Sequence, residues 1–349
     1  MRLSIGILAR NEARTIGAAI DSLFEQSLLR APPPALQRVT VLCVVNGTTD
    51  ETAARAREAF ARQESGERIR SAVHETPEPG KPNAWNWFVH ELAEPDADAL
   101  VLMDADIRFL SDRALEDLVA ALEADPRANA AVGLPVKRFE HNGRRRSIIE
   151  RLVAGASTLT LSGPPGLNGG LYAARTAVLR EIWLPKELLV EDGYIRAMLV
   201  TDCFRRPDDF DRLVRAEAAR YEFVPETTIR GLFRHRRRLT LGTALNILLF
   251  DRLWALEDKE QAGAFARRCM EQDRDWFDRM LQDHVRTAGR WALPGGLARA
   301  MLFGRFRQMR GLSWSRALRA APTAVAAMIF EIPVLLAANS ALRRRRLRW

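Results

Sequence analysis

An α/β fold with a mostly parallel sheet flanked by helices is what this sequence predicts, and three observations carry it. Short apolar runs at residues 3–8, 39–45 and 99–103 each end abruptly in polar residues, the mark of buried parallel strands. Between them lie stretches of helical periodicity, the first carrying Ile16, Ile20, Leu23 and Phe24. The two types alternate as β-α-β-α-β-α-β, an order that winds helices around a parallel sheet.

The first strand leads through Ala9, Arg10, Asn11 and Glu12 into its helix, and the prolines of residues 31–34 make a loop. The second strand ends at Asn46-Gly47-Thr48-Thr49-Asp50. Thr49 or Asp50 is placed to cap the next helix, with Glu51 favourable to its dipole. A third strand is expected at 69–73, and residues 78–83 read as a loop before a helix over 85–92. The fourth strand closes in Asp104-Ala105-Asp106, Ser111 or Asp112 caps a helix through Leu122, and residues 130–135 read as a further strand. After Arg144, Arg145 and Arg146, a small-residue loop over 162–170 precedes an apolar run at 171–174. Its glycines let a backbone approach a ligand closely. Glu191 and Asp192 precede a helix containing Ile195, Met198 and Leu199. They mark either a helix start or a carboxylate opening on a cleft, where it would deprotonate a hydroxyl. Residues 230–238 form a dense cationic cluster, either a solvated basic face or a clamp for a diphosphate.

A net charge of +9 and a pI near 10.2 point to anionic partners. Cys43, Cys203 and Cys269 are isolated and odd in number, so they suggest neither a disulfide framework nor structural zinc and fit a reducing compartment. The N-terminus reads as a strand, not a signal peptide. The first strand–helix loop offers only Gly6, and no GxxxxGK[ST] occurs, which argues against a nicotinamide dehydrogenase or a P-loop enzyme. A nucleotide site must then use polar side chains and a metal. Asp104 and Asp106 suit it: ligands bind outside the carboxyl ends of strands in open α/β sheets, and two carboxylates there can hold a hard cation that also holds phosphate oxygens.

Six segments in order resemble family 2 glycosyltransferases of the GT-A fold: RLSIGILARNEARTI, VLCVVNGTTDET, GKPNAWN, LVLMDAD, GLNGGLYAARTAVL and LLVEDGYI. The resemblance spans residues 3–239. It implies a Rossmann-like GT-A domain in which Ala9, Asn11 and Glu12 line the nucleoside pocket and Asn46 lies near the base. Lys81 would lie by the ribose or phosphates. Asp104 and Asp106 would flank the donor and hold Mg2+ or Mn2+, with Asp106 the stronger ligand. Asn168, Gly169 and Gly170 would face the acceptor, Asp192 would be the general base and Glu191 its support. The implied reaction is an inverting hexosyl transfer from a nucleotide-sugar, a UDP-sugar favoured, to a hydroxyl acceptor of lipid or lipid-linked type. Two departures stand out. The turn Val45-Asn46-Gly47 lacks the family's acidic residue, and His235-Arg236-Arg237-Arg238-Leu239 replaces the QxxRW motif of processive members. His235 becomes a candidate metal or pyrophosphate contact, and Arg237 and Arg238 candidate donor contacts.

The sequence is thus expected to comprise a catalytic domain at 1–239 and a helical, membrane-associated region at 240–349. Two stretches, from Leu241 and from Ala298, read as amphipathic helices with large apolar residues beside Arg. Residues 318–342 match the roughly 30 Å of a bilayer core, but Pro322, Glu331 and Pro333 interrupt them and a central carboxylate is costly. A re-entrant or interfacial segment on anionic lipid is expected, at the cytoplasmic face of a bacterial inner membrane; a helix buried on the catalytic domain is the alternative. Two other classes compete with the transferase. A sugar-phosphate nucleotidyltransferase would want a Gly-rich basic loop where this chain has ARNE. A non-enzymatic basic module would bind anionic membrane or nucleic acid, but no nucleic-acid fold or stacking pattern is visible and no nucleic-acid partner is expected.

Overall fold

Strand β1 (Arg2–Ala9) sits inside the sheet, and its residues from Leu3 on are buried on both faces, as its unbroken apolar run requires. The computed structural model describes residues 1–63, 66–139, 166–309 and 314–345; Arg144–Arg146 and the first part of the 162–170 loop lie outside them. After β1 come α1 (Ile16–Phe24), the single turn α2 (Ser27–Arg30), β2 (Arg38–Asn46), α3 (Thr52–Ala61) and β3 (Ile69–Thr76). They are followed by α4 (Lys81–Trp87), a π-helical turn (Phe88–Leu92), β4 (Ala99–Asp104), β5 (Arg108–Phe109), α5 (Ala114–Ala124) and β6 (Ala130–Lys137). Next are β7 (Leu171–Arg175), the turn α6 (Thr176–Leu179), α7 (Glu191–Val200) and β8 (Leu213–Phe223). On one sheet face, Ile5, Ile7, Val41, Cys43, Val101 and Met103 join Ile16, Ile20 and Leu23 of α1 and Leu115 and Leu118 of α5 in one core. On the other face Gly6 leaves room for Phe88, whose ring lies 2.8 Å from where a Cβ would stand.

The strand order is β3-β2-β1-β4-β7-β6-β8-β5. The half from β3 to β4 is parallel throughout. Strand β7 then runs antiparallel between β4 and β6, pairing Leu171 with Met103 and Arg175 with Ala99. It therefore starts at the carboxyl edge of β4 and brings Gly169 and Gly170 there.

Several boundaries differ from expectation. Helix α1 begins at Ile16 because Asn11 adopts φ 57° and Glu12 O accepts from the N–H groups of Thr15 and Ile16, so residues 10–15 are a turn. Helix α4 begins at Lys81, inside the expected loop, since Pro82 needs no N–H acceptor in a first turn. Helix α5 starts at Ala114 with no side-chain cap; Ser111 Oγ instead accepts from Arg113 N. Asp50 does serve the start of α3, accepting from Thr52 N at 3.0 Å.

The chain divides into two units: the first holds Met1–Lys186, Glu191–Thr227 and Leu256–Arg267, the second Glu187–Val190, Thr228–Ala255 and Arg268–Trp349. The later helices are α8 (Ile229–Trp254), α9 (Phe265–Gln272), α10 (Trp276–Ala288), α11 (Leu297–Met309) and α12 (Trp314–Arg343). Helix α8 absorbs the whole cationic cluster, capped by Thr228 Oγ1, which accepts from Gly231 N. Helix α12 runs unbroken through Pro322 and Pro333. Within its unit α12 packs on α8 and α11, and Arg236 Nε meets Glu331 Oε1 at 2.5 Å. The units differ in charge. The second contains 22 Arg, no Lys and 8 acidic residues, a net +14; the first contains 31 basic and 36 acidic residues, a net −5.

Candidate active site

The carboxyl ends of β1, β2 and β4 define one edge of the first unit. Ala9 ends β1 and is buried, and the loops after β1 and β2 are stitched together by polar bonds. Asn11 N donates to Thr48 Oγ1 at 3.2 Å and Asn11 Oδ1 accepts from Thr49 N at 2.9 Å. Glu12 N donates to Thr52 Oγ1 at 2.8 Å, and Ala13 N to Asp50 Oδ2 at 3.2 Å. This bonding holds Asn11 in its left-handed conformation, which Asn tolerates better than most residues. Asn46, at the end of β2, is buried, and its Nδ2 has no hydrogen-bond acceptor among the described residues. A buried donor without a partner is costly.

Lys81 is the hub. As the first residue of α4 it sends Nζ to Asp104 Oδ1 at 2.6 Å, to Glu191 Oε1 at 3.0 Å and toward Gly169 O at 3.4 Å. Burial works against the ammonium, but Asp104 and Glu191 hold its pKa above the ordinary lysine value. Burial pushes the Asp104 carboxyl up to about 6 against the pull of Lys81, with Asp106 and Glu191 adding to the rise. The Glu12 carboxyl is raised too, first by burial and then by Asp106 and Asp104 despite a bond from Thr15. This edge therefore concentrates negative charge behind a partly buried wall, with Asp106 exposed at its rim.

The glycine turn closes the site. Gly170 O accepts from Asp104 N at 2.9 Å. A Cβ on Gly169 would stand 3.1 Å from Lys81 Nζ, 3.3 Å from Glu191 Oε1 and 3.6 Å from Asp192 Cβ. A Cβ on Gly170 would stand 2.6 Å from Tyr221 Oη. Asn168 precedes this turn and is exposed. Asp192 opens α7 beside the buried Glu191, and its Oδ1 accepts from Gly193 N at 2.8 Å. The structure thus brings Lys81, Asp104, Gly169, Glu191 and Asp192 together. Tyr221, on β8, belongs with them and is missed by the sequence reading: its phenol is raised by burial, then by Asp104. The one available signal was its place in the strand-like stretch LVRAEAARYEF.

His235, Arg237 and Arg238 lie on α8, in the second unit, where Arg238 Nη1 donates to Leu189 O at 3.4 Å. Among the described residues no three His, Cys, Asp or Glu side chains converge as a ready metal cage. A magnesium-type ion needs no such cage, since one or two carboxylates suffice when phosphates and water complete its shell. Asp104, partly buried at the end of β4, and the exposed Asp106 two residues on offer such a pair of carboxylates.

The sequence model of glycosyl transferase family 2 matches residues 4–183, just over half of the chain. The chain belongs to this family and is a glycosyltransferase. Similar solved structures include a mannosyltransferase from Pyrobaculum calidifontis in complex with GDP-Man and Mn2+. It is 20% identical, with 96% of this chain and 87% of that chain covered and a TM-score of 0.54. Another is glucosyl-3-phosphoglycerate synthase from Mycobacterium tuberculosis in complex with Mg2+ and UDP, 19% identical over 74% of this chain and 80% of that chain, with a TM-score of 0.44. The first of these shows a shared GT-A fold. No curated protein matches the chain.

Proposed function

We propose that the first unit transfers a hexosyl group, with inversion, from a nucleotide-sugar to a hydroxyl acceptor. A UDP-sugar is the favoured donor. The observation that carries this reading is the meeting of Lys81, Asp104 and Glu191 at Gly169, with Asp192 alongside. Ala9, Asn11, Glu12 and Asn46 bind the nucleoside, the unpartnered Asn46 amide donating to the base. Asp104 and Asp106 would hold Mg2+ or Mn2+ beside the diphosphate of the donor. The bound cation neutralises charge that develops on the departing nucleoside diphosphate. Lys81 holds Asp104 and Glu191 in place and so fixes the distance between the donor side and the acceptor side. Asn168, Gly169 and Gly170 form the acceptor floor. Asp192 takes the proton of the acceptor hydroxyl as its oxygen bonds to the anomeric carbon and the bond to the diphosphate breaks. The second unit, at net +14, carries the enzyme to an anionic membrane, the cytoplasmic face of a bacterial inner membrane, where the acceptor is a lipid or lipid-linked glycan.

Calorimetric titration with UDP and GDP, each with and without Mn2+, tests the donor half. Wild type is expected to bind one nucleotide in a metal-dependent way, and Asp106→Ala to lose that binding while staying folded, since Asp106 is exposed. A folded wild-type protein that binds neither nucleotide overturns the reading.

A further inference from the structure

We infer that α12 lies flat in the surface of an anionic bilayer, immersed along one face, and does not cross it. This rests on the membrane part of the function proposed above and adds the geometry and the residues. Six large apolar side chains on α12 are 41–84% exposed: Trp314, Leu318, Val325, Ile329, Ile332 and Leu336. Their spacings of 4, 7, 4, 3 and 4 residues match the helical repeat, so all six fall within about 60° of one another around the axis. The stripe runs for about 33 Å at 1.5 Å per residue. From Ala321 to Leu342 the sequence has one charged residue, Glu331, and it does not belong to the stripe. Ala324, Glu331, Val334, Leu335, Ala338 and Leu342 are buried on the side that packs within the unit.

Length and composition alone would let residues 321–343 span a membrane. The pairing of Glu331 argues otherwise. This carboxylate lies near the middle of that segment, buried, and bonded to Arg236 of α8. Phe330 meets Phe233 of the same helix edge-on, with ring centroids 6.4 Å apart. If α12 crossed, Arg236 and the adjoining Arg234, Arg237 and Arg238 would be carried to the bilayer centre, where charge is most expensive. With α12 in the plane, the ion pair stays on the protein side and only apolar surface enters lipid. The partner is anionic by charge complementarity. The unit carries +14, and exposed Arg343 and Arg344 end the helix, where they reach phosphate headgroups.

The test uses the full chain with single nitroxide labels at Leu318, Val325, Ile332 and Leu336, bound to phosphatidylcholine vesicles with and without phosphatidylglycerol. Depth is read from the accessibility of each label to oxygen and to a water-soluble nickel complex. An in-plane helix gives one shallow depth at all four positions and needs the anionic lipid. A depth that passes through a maximum between Val325 and Ile332 overturns the orientation. A second measurement uses Ile329→Asp with Ile332→Asp. Vesicle affinity is expected to fall about tenfold or more, while nucleotide titration of the first unit is unchanged. A wild-type protein that binds neither vesicle, but forms a concentration-dependent dimer abolished by the same pair, overturns the proposal in favour of a second copy as the occupant. Nucleotide titration reports on the transferase separately, so either reading can fall alone.

Discussion

Lys81 joins two carboxylates from distant parts of the chain, Asp104 at the end of β4 and Glu191 at the start of α7. In Lys81→Ala these carboxylates would face each other without the ammonium. Donor affinity is expected to fall, and stability to drop by about 1–3 kcal/mol, read by nucleotide calorimetry and urea unfolding. Asp192→Asn should leave donor affinity intact while lowering kcat by a factor of about 10²–10⁴, the range for loss of a general base; an unchanged turnover would remove Asp192 from that role. Gly170→Ala pushes a methyl against Tyr221 Oη, and overpacking of this kind costs about 1–3 kcal/mol. Tyr221→Phe removes the oxygen and should restore part of that loss in the double variant, as thermal unfolding would show. Asp104, Asp106, Glu191 and Asp192 stood out in the sequence because charge at the end of an apolar run is conspicuous, whereas Lys81 stood out only through the resemblance carried by GKPNAWN. Tyr221 was not, because a tyrosine in an alternating strand reads the same whether it faces a core or a site.

The elements that depart from expectation do so for reasons that lie outside local sequence. β7 reverses the sheet because its chain enters at the carboxyl edge of β4, a tertiary fact that periodicity does not encode. The π-helical turn after α4 is likewise invisible in a pattern of apolar residues, yet it places His90. The ring stacks on Trp183 with centroids 3.6 Å apart and planes 4° off parallel, and its Nε2 meets Ile182 O at 2.9 Å. Burial lowers its pKa from 6.5 to about 4. Between these values the unfolded chain takes up a proton that the fold refuses, so this contribution is intact above pH 6.5 and lost as pH falls toward 4. The half-buried ring keeps the loss to about 1–2 kcal/mol. Urea unfolding at pH 7 and pH 5 should show that slope, and His90→Gln should flatten it. In the second unit, α8 begins at Ile229, ahead of the stretch whose periodicity announced it, because Thr228 supplies a cap and arginine is a good helix former. Glu331→Ala leaves Arg236 without its carboxylate. Because Arg236 is itself partly exposed, a loss of about 1–3 kcal/mol is expected in unfolding measurements.

At the scale of the whole molecule, the overall charge of +9 concealed two opposite halves. A sequence total cannot separate −5 on the sheet-bearing unit from +14 on the helical one; the fold assigns each residue to its unit. Binding to anionic vesicles should therefore weaken as salt rises, while apolar insertion persists; flotation in low and high salt reads the difference. The parallel half of the sheet and the acidic edge could be read in advance because they depend on near neighbours in the chain. The unit boundary could not, since residues 187–190 and 256–267 each interrupt the run of the other unit. The distribution of basic residues also bears on the chemistry that can be done on this protein. Lys81, Lys137, Lys186 and Lys259 are its only lysines, and all fall in the first unit. Acylating dyes and amine cross-linkers will mark the sheet-bearing unit and the N-terminus and pass over the helical one. The amine of Lys81, held protonated by two carboxylates, will be slow to react. A lysine-specific protease will release residues 260–349, with α9, α10, α11 and α12, as one uncut piece.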